Sequence, residues 1–509
     1  MTAALDISKD TLLAEITSLR NQNKLLQEQL DWLKKQIFGK RSEKIIPKND
    51  RQLEFDGFGK LIEVKEGAET TVKGHTRKQP DRNGKDTIKL PEDLPVETVI
   101  VDLPEEEKVC KETGQALVKI GEEVTTKLAH KPGSYFIKKI VRPKYAAAKN
   151  PDAGVSTAFL PDTIVPRCFA DESFLADILV KKYADHLPLN RQVEALAREE
   201  IFISRQILSQ WVIKVSLALK PIYETMKEVI LNGDTVFCDE TPVKMLPKIG
   251  NKTETTYVWV LVGGQKKKLP GYRVYMFYED RKHCNLLEIL GHYKGVLHSD
   301  KYAAYEALAN AKKYVWVPCW AHIRRKFFEA EGGDPKFRDW VLQKIKELYD
   351  HEEVAWQKEP EDRLKIRQEN EIPIIDELIK VIKSKLEDTK ILPKSKLGQA
   401  IRYFLGLIAH VKNYTNNPFA HIDNNVAERA IRPLAIGRKN WLFFGNENGG
   451  EAASIAYSLI QSCRELDVNP RDYLEDIMRR LMSHPANKLK ELLPDQWALA
   501  KGPHPKLLS

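Results

Sequence analysis

Thr235-Val-Phe-Cys-Asp-Glu-Thr-Pro-Val243 opens with a β-branched and aromatic run that meets a carboxylate, and the chain beyond repeats the pattern. Val236 to Cys238 reads as a strand running into Asp239. Tyr257 to Val262 and Tyr272 to Phe277 read as two more, with Gly263-Gly264 and Pro270-Gly271 between them. A helix over about 283 to 291 follows, then a fourth strand, Gly295-Val-Leu-His-Ser299, that ends at Asp300. Tyr314 to Pro318 is a fifth strand and feeds a helix that begins near Cys319. This order predicts a mixed sheet flanked by helices. If its first and fourth strands are neighbours, Asp239 and Asp300 meet at strand ends. Residues 335–415 carry helical patterns throughout and read as an insertion.

A third carboxylate lies beyond the insertion, in His421-Ile-Asp-Asn-Asn-Val-Ala-Glu-Arg-Ala-Ile-Arg-Pro-Leu-Ala-Ile-Gly-Arg-Lys-Asn-Trp441. Helical spacing puts Asn424, Glu428 and Arg432 on one face. Pro433 is expected at a break, with a basic loop from Gly437 to Asn440. Alone, this run fits either a surface ion pair or a phosphoryl-transfer site. Asp239 and Asp300 upstream favour the second. Two or three carboxylates at one point suit Mg²⁺, with Mn²⁺ as a substitute. Such ions activate a water or a DNA 3′-hydroxyl without a protein nucleophile. Asp423 is the rival to Glu428. Glu240 faces away from Asp239 if that stretch is extended. His322 and Arg325 either hold a phosphate or form a helix-capping ion pair. His298 reads as a strand histidine, and Trp441 to Phe444 as core. Arg432, Arg438 and Lys439 are candidate phosphate contacts, each phosphate adding about −0.9 to a salt-dependence slope.

The rest of the 509 residues supplies accessory domains, so the fold class is multidomain α+β/α/β. Residues 1–40 carry a heptad: Leu12, Leu19, Leu26 and Leu33, with Ile16, Asn23, Leu30 and Ile37 four after each. Asn23 at a core position favours an in-register homodimer, or a higher oligomer built on it, over packing within the protein. Residues 41–92 read as a flexible linker whose basic stretch, Lys73 to Lys78, either is solvated or touches phosphate. Residues 93–150 form a small β-rich module with strands at Val96–Val101, Thr125–Leu128 and Tyr135–Val141. Residues 166–230 are helical, and Ser204 caps a helix that would expose Arg205, Gln206 and Gln210 in a helix-turn-helix-like unit. A trihelical unit that binds nothing has the same pattern. The catalytic core then spans 231–334 and 416–482 around the insertion, and 483–509 is a loose tail. Net charge is +9, six scattered cysteines form no CxxC pair, and no apolar run is long enough for a membrane span. A reducing, cytoplasmic location with no membrane partner follows as the expectation.

Several of these segments together resemble the bacterial DDE transposases of the insertion-sequence sixty-six family. They are Asp239-Glu-Thr-Pro-Val243, Ser299-Asp-Lys-Tyr-Ala-Ala-Tyr305, Cys319-Trp-Ala-His-Ile-Arg-Arg-Lys-Phe327, Ile422 to Pro433 and Arg438-Lys-Asn-Trp-Leu-Phe443. Trp32 to Lys44 resembles that family's start and Pro188 to Gln192 its middle. The resemblance implies an RNase H-like catalytic domain, a divalent-metal site on Asp239, Asp300 and Glu428, and double-stranded DNA as substrate: element terminal repeats and a target. It also implies small companion proteins as possible partners. Family members often carry a zinc module after the linker, but here Cys110 keeps one cysteine of one pair and Tyr145-Ala-Ala-Ala-Lys149 lacks the other. One cysteine cannot fill a tetrahedral site, so a metal-free module without zinc is expected. The alternatives are an RNase H-fold nuclease that joins nothing and a non-catalytic dimeric DNA-binding relic.

Overall fold

A computed structural model describes residues 94–104, 108, 117–131, 133–147, 155–247, 253–263, 271–311, 313–330, 334–386 and 391–501. All belong to the unit Arg82–Ser509. The heptad positions Leu12 to Ile37, the linker, Cys110 and Lys149 lie outside the described residues.

Four strands build the first sheet: β1 (Val96–Ile100), β2 (Leu117–Lys131), β3 (Ser134–Ala147) and β4 (Val155–Thr157). β2 and β3 form a long antiparallel hairpin, with Gly133 at φ +86° in its turn, and β1 pairs parallel to β3. These strands run well past the expected apolar stretches. Cross-strand pairs such as Glu123 with Arg142, 2.5 Å apart, carry the ladder where apolar alternation fades.

Helices α1 (Glu172–Tyr183), α2 (Leu189–Arg198), α3 (Arg205–Ala218) and α4 (Lys220–Leu231) follow. Ser204 Oγ accepts from Ile207 N at 3.2 Å, so α3 starts where the cap was expected. α3 continues past Trp211 because Leu208, Trp211, Val212 and Val215 all bury on one face. Asp171 caps α1 and receives Arg479 NH2 at 2.6 Å.

The second sheet comprises β5 (Thr235–Met245), β6 (Glu254–Gly263), β7 (Arg273–Tyr278), β8 (Val296–Ser299) and β9 (Val315–Pro318), in the order β7-β6-β5-β8-β9. Helix α5 (His283–Leu290) lies between β7 and β8, α6 (Ala303–Asn310) between β8 and β9, and α7 (Trp320–Phe328) after β9. β5, β7, β8 and β9 run in one direction and β6 runs antiparallel to its neighbours β5 and β7, and the parallel pairing of β5 with β8 makes the first and fourth strands neighbours. β5 does not end at Asp239 as expected; it runs six residues further through Pro242. Pro242 carbonyl accepts from Arg438 on the edge away from β6, so the missing N–H sits on that same edge and no ladder bond is lost.

The insertion is α8 (Pro335–Ala355), α9 (Pro360–Ile366), a π turn (Arg367–Glu371), α10 (Ile372–Leu386) and α11 (Lys396–Leu405). The chain then forms α12 (Asn425–Trp441), the short β10 (Phe443–Phe444) beside β5, and helices α13 (Glu447–Glu465), α14 (Pro470–Arg480) and α15 (Pro494–Lys501). α13 covers the edge strand β7: Ser458 and Ser462 accept from the backbone N–H groups of Tyr275 and Arg273 at 2.8 and 2.9 Å. An open edge is thereby closed without another strand.

Three expectations need correction. Pro433 does not break its helix, and Gly437 to Asn440 is not a loop; α12 runs through both. An interior proline costs roughly 3 kcal/mol, and the buried stripe Val426, Ala427, Ala430, Leu434 and Gly437 offsets that. The segment after 483 is not a loose tail as far as residue 501. Leu492, Leu493 and Trp497 are buried, and Trp497 Nε1 donates to Asp476 at 2.9 Å. Among the described residues no helix is long and apolar enough to cross a membrane.

The insertion is locked to the core by one buried arginine. Arg367 is fully buried, pairs with Glu352 through Nε and NH2 at 2.5 and 2.7 Å, and donates to the carbonyls of Tyr414, Asn417 and Ala420. Those carbonyls belong to the segment that leads into α12. Replacing Arg367 with Met would strand a buried carboxylate and three carbonyls, a loss of roughly 3–5 kcal/mol. Calorimetry should find the melting transition lowered by roughly 5–10 °C; an unchanged transition would refute the clamp.

Candidate active site

Asp239 lies in the middle of β5 and Asp300 one residue past β8, so the parallel pairing of Val236 with Leu297 brings their strands side by side. Asp239 Oδ1 accepts from the N–H of Glu240 at 2.9 Å, and Asp300 Oδ1 from that of Tyr302 at 3.1 Å. Burial, then the charges of Glu240, Asp300 and Glu428, push the Asp239 carboxyl up to about 8. The ordering identifies a pocket of mutually repelling carboxylates.

Glu240 is committed elsewhere. It forms an ion pair with Arg281 and accepts from Tyr305 OH at 2.9 Å. Burial and the charge of Asp300 push it up to about 7 against the pull of Arg281 and Tyr305. Sequence reading set Glu240 aside for its position but did not find Arg281 or Tyr305, since neither lies near it in the chain.

Glu428 lies in the first turn of α12, facing α7. His322 Nδ1 is 3.4 Å from its Oε1 and Arg325 NH2 is 3.9 Å from its Oε2. These two residues therefore flank the third carboxylate across two helices and cap no helix end. Asp423 is satisfied locally: Tyr349 OH and Asn425 Nδ2 donate to its Oδ2 at 3.1 and 2.6 Å. That separates it from Glu428, whose Oε1 is buried without a hydrogen-bond partner.

Asn424 was expected to share a face with Glu428 and Arg432, yet it is fully buried while Arg432 is exposed. Its Nδ2 donates to the carbonyl of Cys238 at 2.9 Å, and its backbone N–H donates to Cys319 Sγ at 3.2 Å. One residue thus ties the strand of Asp239, the start of α7 and the start of α12 together.

Arg438 differs from its expected role. Its NH1 donates to Thr241 Oγ1 and the carbonyl of Pro242, both at 2.6 Å, so it clamps α12 to β5. Lys439 is exposed, as are Arg205, Gln206 and Gln210 on α3. His298 is fully buried, stacked on Phe237, and accepts from the N–H of His421 at 2.9 Å; burial pushes it down to about 3. Trp441 stacks on buried Phe444 at 4.8 Å, but Leu442 and Phe443 are exposed.

Among the described residues, neither Asp239 nor Asp300 has a cationic partner within 4 Å. Asp239 and Asp300 are hard oxygen donors of the kind a divalent cation takes, and Glu428 is near enough for its charge to act on Asp239, although among the described residues the three carboxylates do not all lie within 4.8 Å of one another. Asn424→Ala should lower stability by about 1–3 kcal/mol, because the Cys238 carbonyl stays buried without its donor. Chemical unfolding measures this, and a change below about 0.5 kcal/mol would sink the tie.

The Transposase IS66 family matches residues 167–452, a stretch that contains Asp239, Asp300, Cys319, His322 and Glu428. The IS66 C-terminal element matches residues 458–494, and a family described as Transposase C of IS166 homeodomain matches residues 25–99. The chain is similar to uncharacterized protein y4jD of Sinorhizobium fredii (strain NBRC 101917 / NGR234), 31% identical over 93% of this chain and 94% of that protein. Uncharacterized protein y4hP of the same organism is 28% identical over 93% of this chain and 89% of its own length. With a match running from α1 through both sheet carboxylates to α12 and into α13, the protein belongs to the IS66 transposase family.

Proposed function

We propose that the protein is a DDE transposase that binds the terminal repeats of its element, cleaves there, and joins the 3′ ends to target DNA. The observation that carries this is the placement of Asp239 on β5 and Asp300 just past the adjacent parallel strand β8, with no ion-pair partner within 4 Å among the described residues, and with Glu428 close enough for its charge to act on Asp239. The order β7-β6-β5-β8-β9, with only β6 running against the other strands, supports an RNase H-like core.

In this reading Asp239, Asp300 and Glu428 would hold divalent cations, Mg²⁺ in the cell and Mn²⁺ as a substitute. Such ions lower the pKa of the attacking oxygen and stabilise the leaving one. The chain's own groups set the geometry. Asn424 and Arg438 keep α12 against β5, so Glu428 stays beside the two aspartates. His322 and Arg325 flank Glu428, and the donors they present suit the scissile or a neighbouring phosphate. In cleavage, water attacks phosphorus and the bond to the element's 3′ oxygen breaks. In joining, that 3′-hydroxyl attacks a target phosphodiester, one P–O bond forms and one breaks, and the proton leaves with solvent. Exposed Arg205, Gln206 and Gln210 on α3, and Arg432 and Lys439 on α12, are the proposed DNA contacts.

The heptad at residues 10–38 is proposed to pair two copies, which would hold two element ends together. Sedimentation of the full chain should give a dimer or a larger assembly, and Leu26→Glu should shift it toward monomer; a monomeric parent chain would end this part of the proposal.

A labelled terminal-repeat duplex, a plasmid target and Mg²⁺ or Mn²⁺ test the chemistry. Joined products are expected, and Asp239→Ala or a chelator should lower them at least about 10²–10³-fold. Cleavage without joining would instead establish the nuclease. End binding without chemistry, persisting after companion proteins are added, would establish a DNA-binding relic.

A further inference from the structure

We propose that Cys319, His322 and Glu428 form a second metal site, selective for a softer divalent ion of the zinc class, that takes the third carboxylate out of the phosphoryl-transfer site. One potential ligand atom from each lies within 4.8 Å of the other two. Cys319 is the N-cap of α7 and His322 its third residue, so the first helical turn brings thiol and imidazole to one side. Glu428 completes the set from α12.

Three further observations point to a ligand. His322 Nδ1 and Glu428 Oε1 are both buried and without a hydrogen-bond partner. The N–H of Asn424 donates to Cys319 Sγ at 3.2 Å, the kind of amide contact that steadies a sulfur carrying negative charge. Arg325 approaches the opposite oxygen, Oε2, so Oε1 faces His322 Nδ1 alone, 3.4 Å away, where an ion bound between them would take both. Cys319 is closed off, whereas the side chains of His322 and Glu428 are about a quarter exposed, so solvent reaches the cluster from their side.

The donor chemistry decides the ion. Sulfur, imidazole and one carboxylate are what Zn²⁺ takes when a fourth position stays open. Mg²⁺ prefers all-oxygen surroundings and keeps its waters. The aspartates and this cluster therefore sort ions by softness, and Glu428 belongs to both sets. The binding site stands on its own geometry; its consequence, that a zinc-class ion withholds Glu428 from catalysis, rests on the function proposed above.

Co²⁺ titration of the full-length protein, followed by absorption, tests binding without any need for activity. About one equivalent should produce a thiolate-to-cobalt charge-transfer band, which Zn²⁺ should erase and excess Mg²⁺ should not. Cys319→Ser should abolish the band. His322→Gln, at a partly exposed position that folding tolerates better, should weaken Co²⁺ binding by about 100-fold or more. Asp300→Asn should leave the band in place. Absence of the band in the parent protein, its survival in Cys319→Ser, or unchanged affinity in folded His322→Gln would overturn the site. In the strand-transfer assay, Zn²⁺ should suppress Mg²⁺-supported joining in the parent protein; joining that is insensitive to Zn²⁺ while the cobalt band is present would overturn the inhibitory role and leave the site standing.

Discussion

Asn424 donates from its side chain to the carbonyl of Cys238, and that one buried bond makes a site out of three separate stretches of chain. Cys238 precedes Asp239 on β5, and Asn424 precedes the helix of Glu428. The same residue's backbone holds Cys319 at the start of α7. Arg438 repeats the tie one strand-step further on, at Thr241 and Pro242. The carboxylates lie nearly 190 residues apart in the chain, and without these bonds nothing local would bring Glu428 back to the sheet.

The electrostatics of the site follow from that enforced proximity. Burial, then the charges of Glu240, Asp300 and Glu428, raise the affinity of Asp239 for a proton. The protein relieves Glu240 with Arg281 and Tyr305 and Asp423 with Tyr349 and Asn425. Among the described residues it gives Asp239 and Asp300 no ion-pair partner within 4 Å.

The insertion contributes rigidity in place of chemistry. Arg367, held by Glu352, donates to the carbonyls of Tyr414, Asn417 and Ala420, and Arg363 stacks on Trp356 at 3.8 Å while donating to the carbonyl of Pro418. The approach to α12 is thus held from the insertion side and α12 itself from the sheet side. α13 closes the far edge of the sheet through Ser458 and Ser462, so the strands carrying the aspartates sit in the interior of a covered sheet.

Strand and helix identities were legible because each signal is local. β-branched runs marked β5 to β9, Ser204 marked the start of α3, and the strand order with its crossovers made Asp239 and Asp300 neighbours. The carboxylates themselves were legible as residue types on recognisable elements. Reading failed where a distant partner overrode a local preference. Pro242 continues its strand because its unbonded edge faces α12, Pro433 continues its helix because five buried residues hold that face, and Trp497 anchors a terminal segment whose own sequence looks polar. The charge of Arg438 is visible in sequence, but the two oxygens that its NH1 donates to are not. The sequence alone determined the elements, their order and the candidate carboxylates, through side-chain period and backbone preference. Only the tertiary structure decided which of them face one another, because a hydrogen bond between residues 238 and 424 exists only after both segments have folded onto the same sheet.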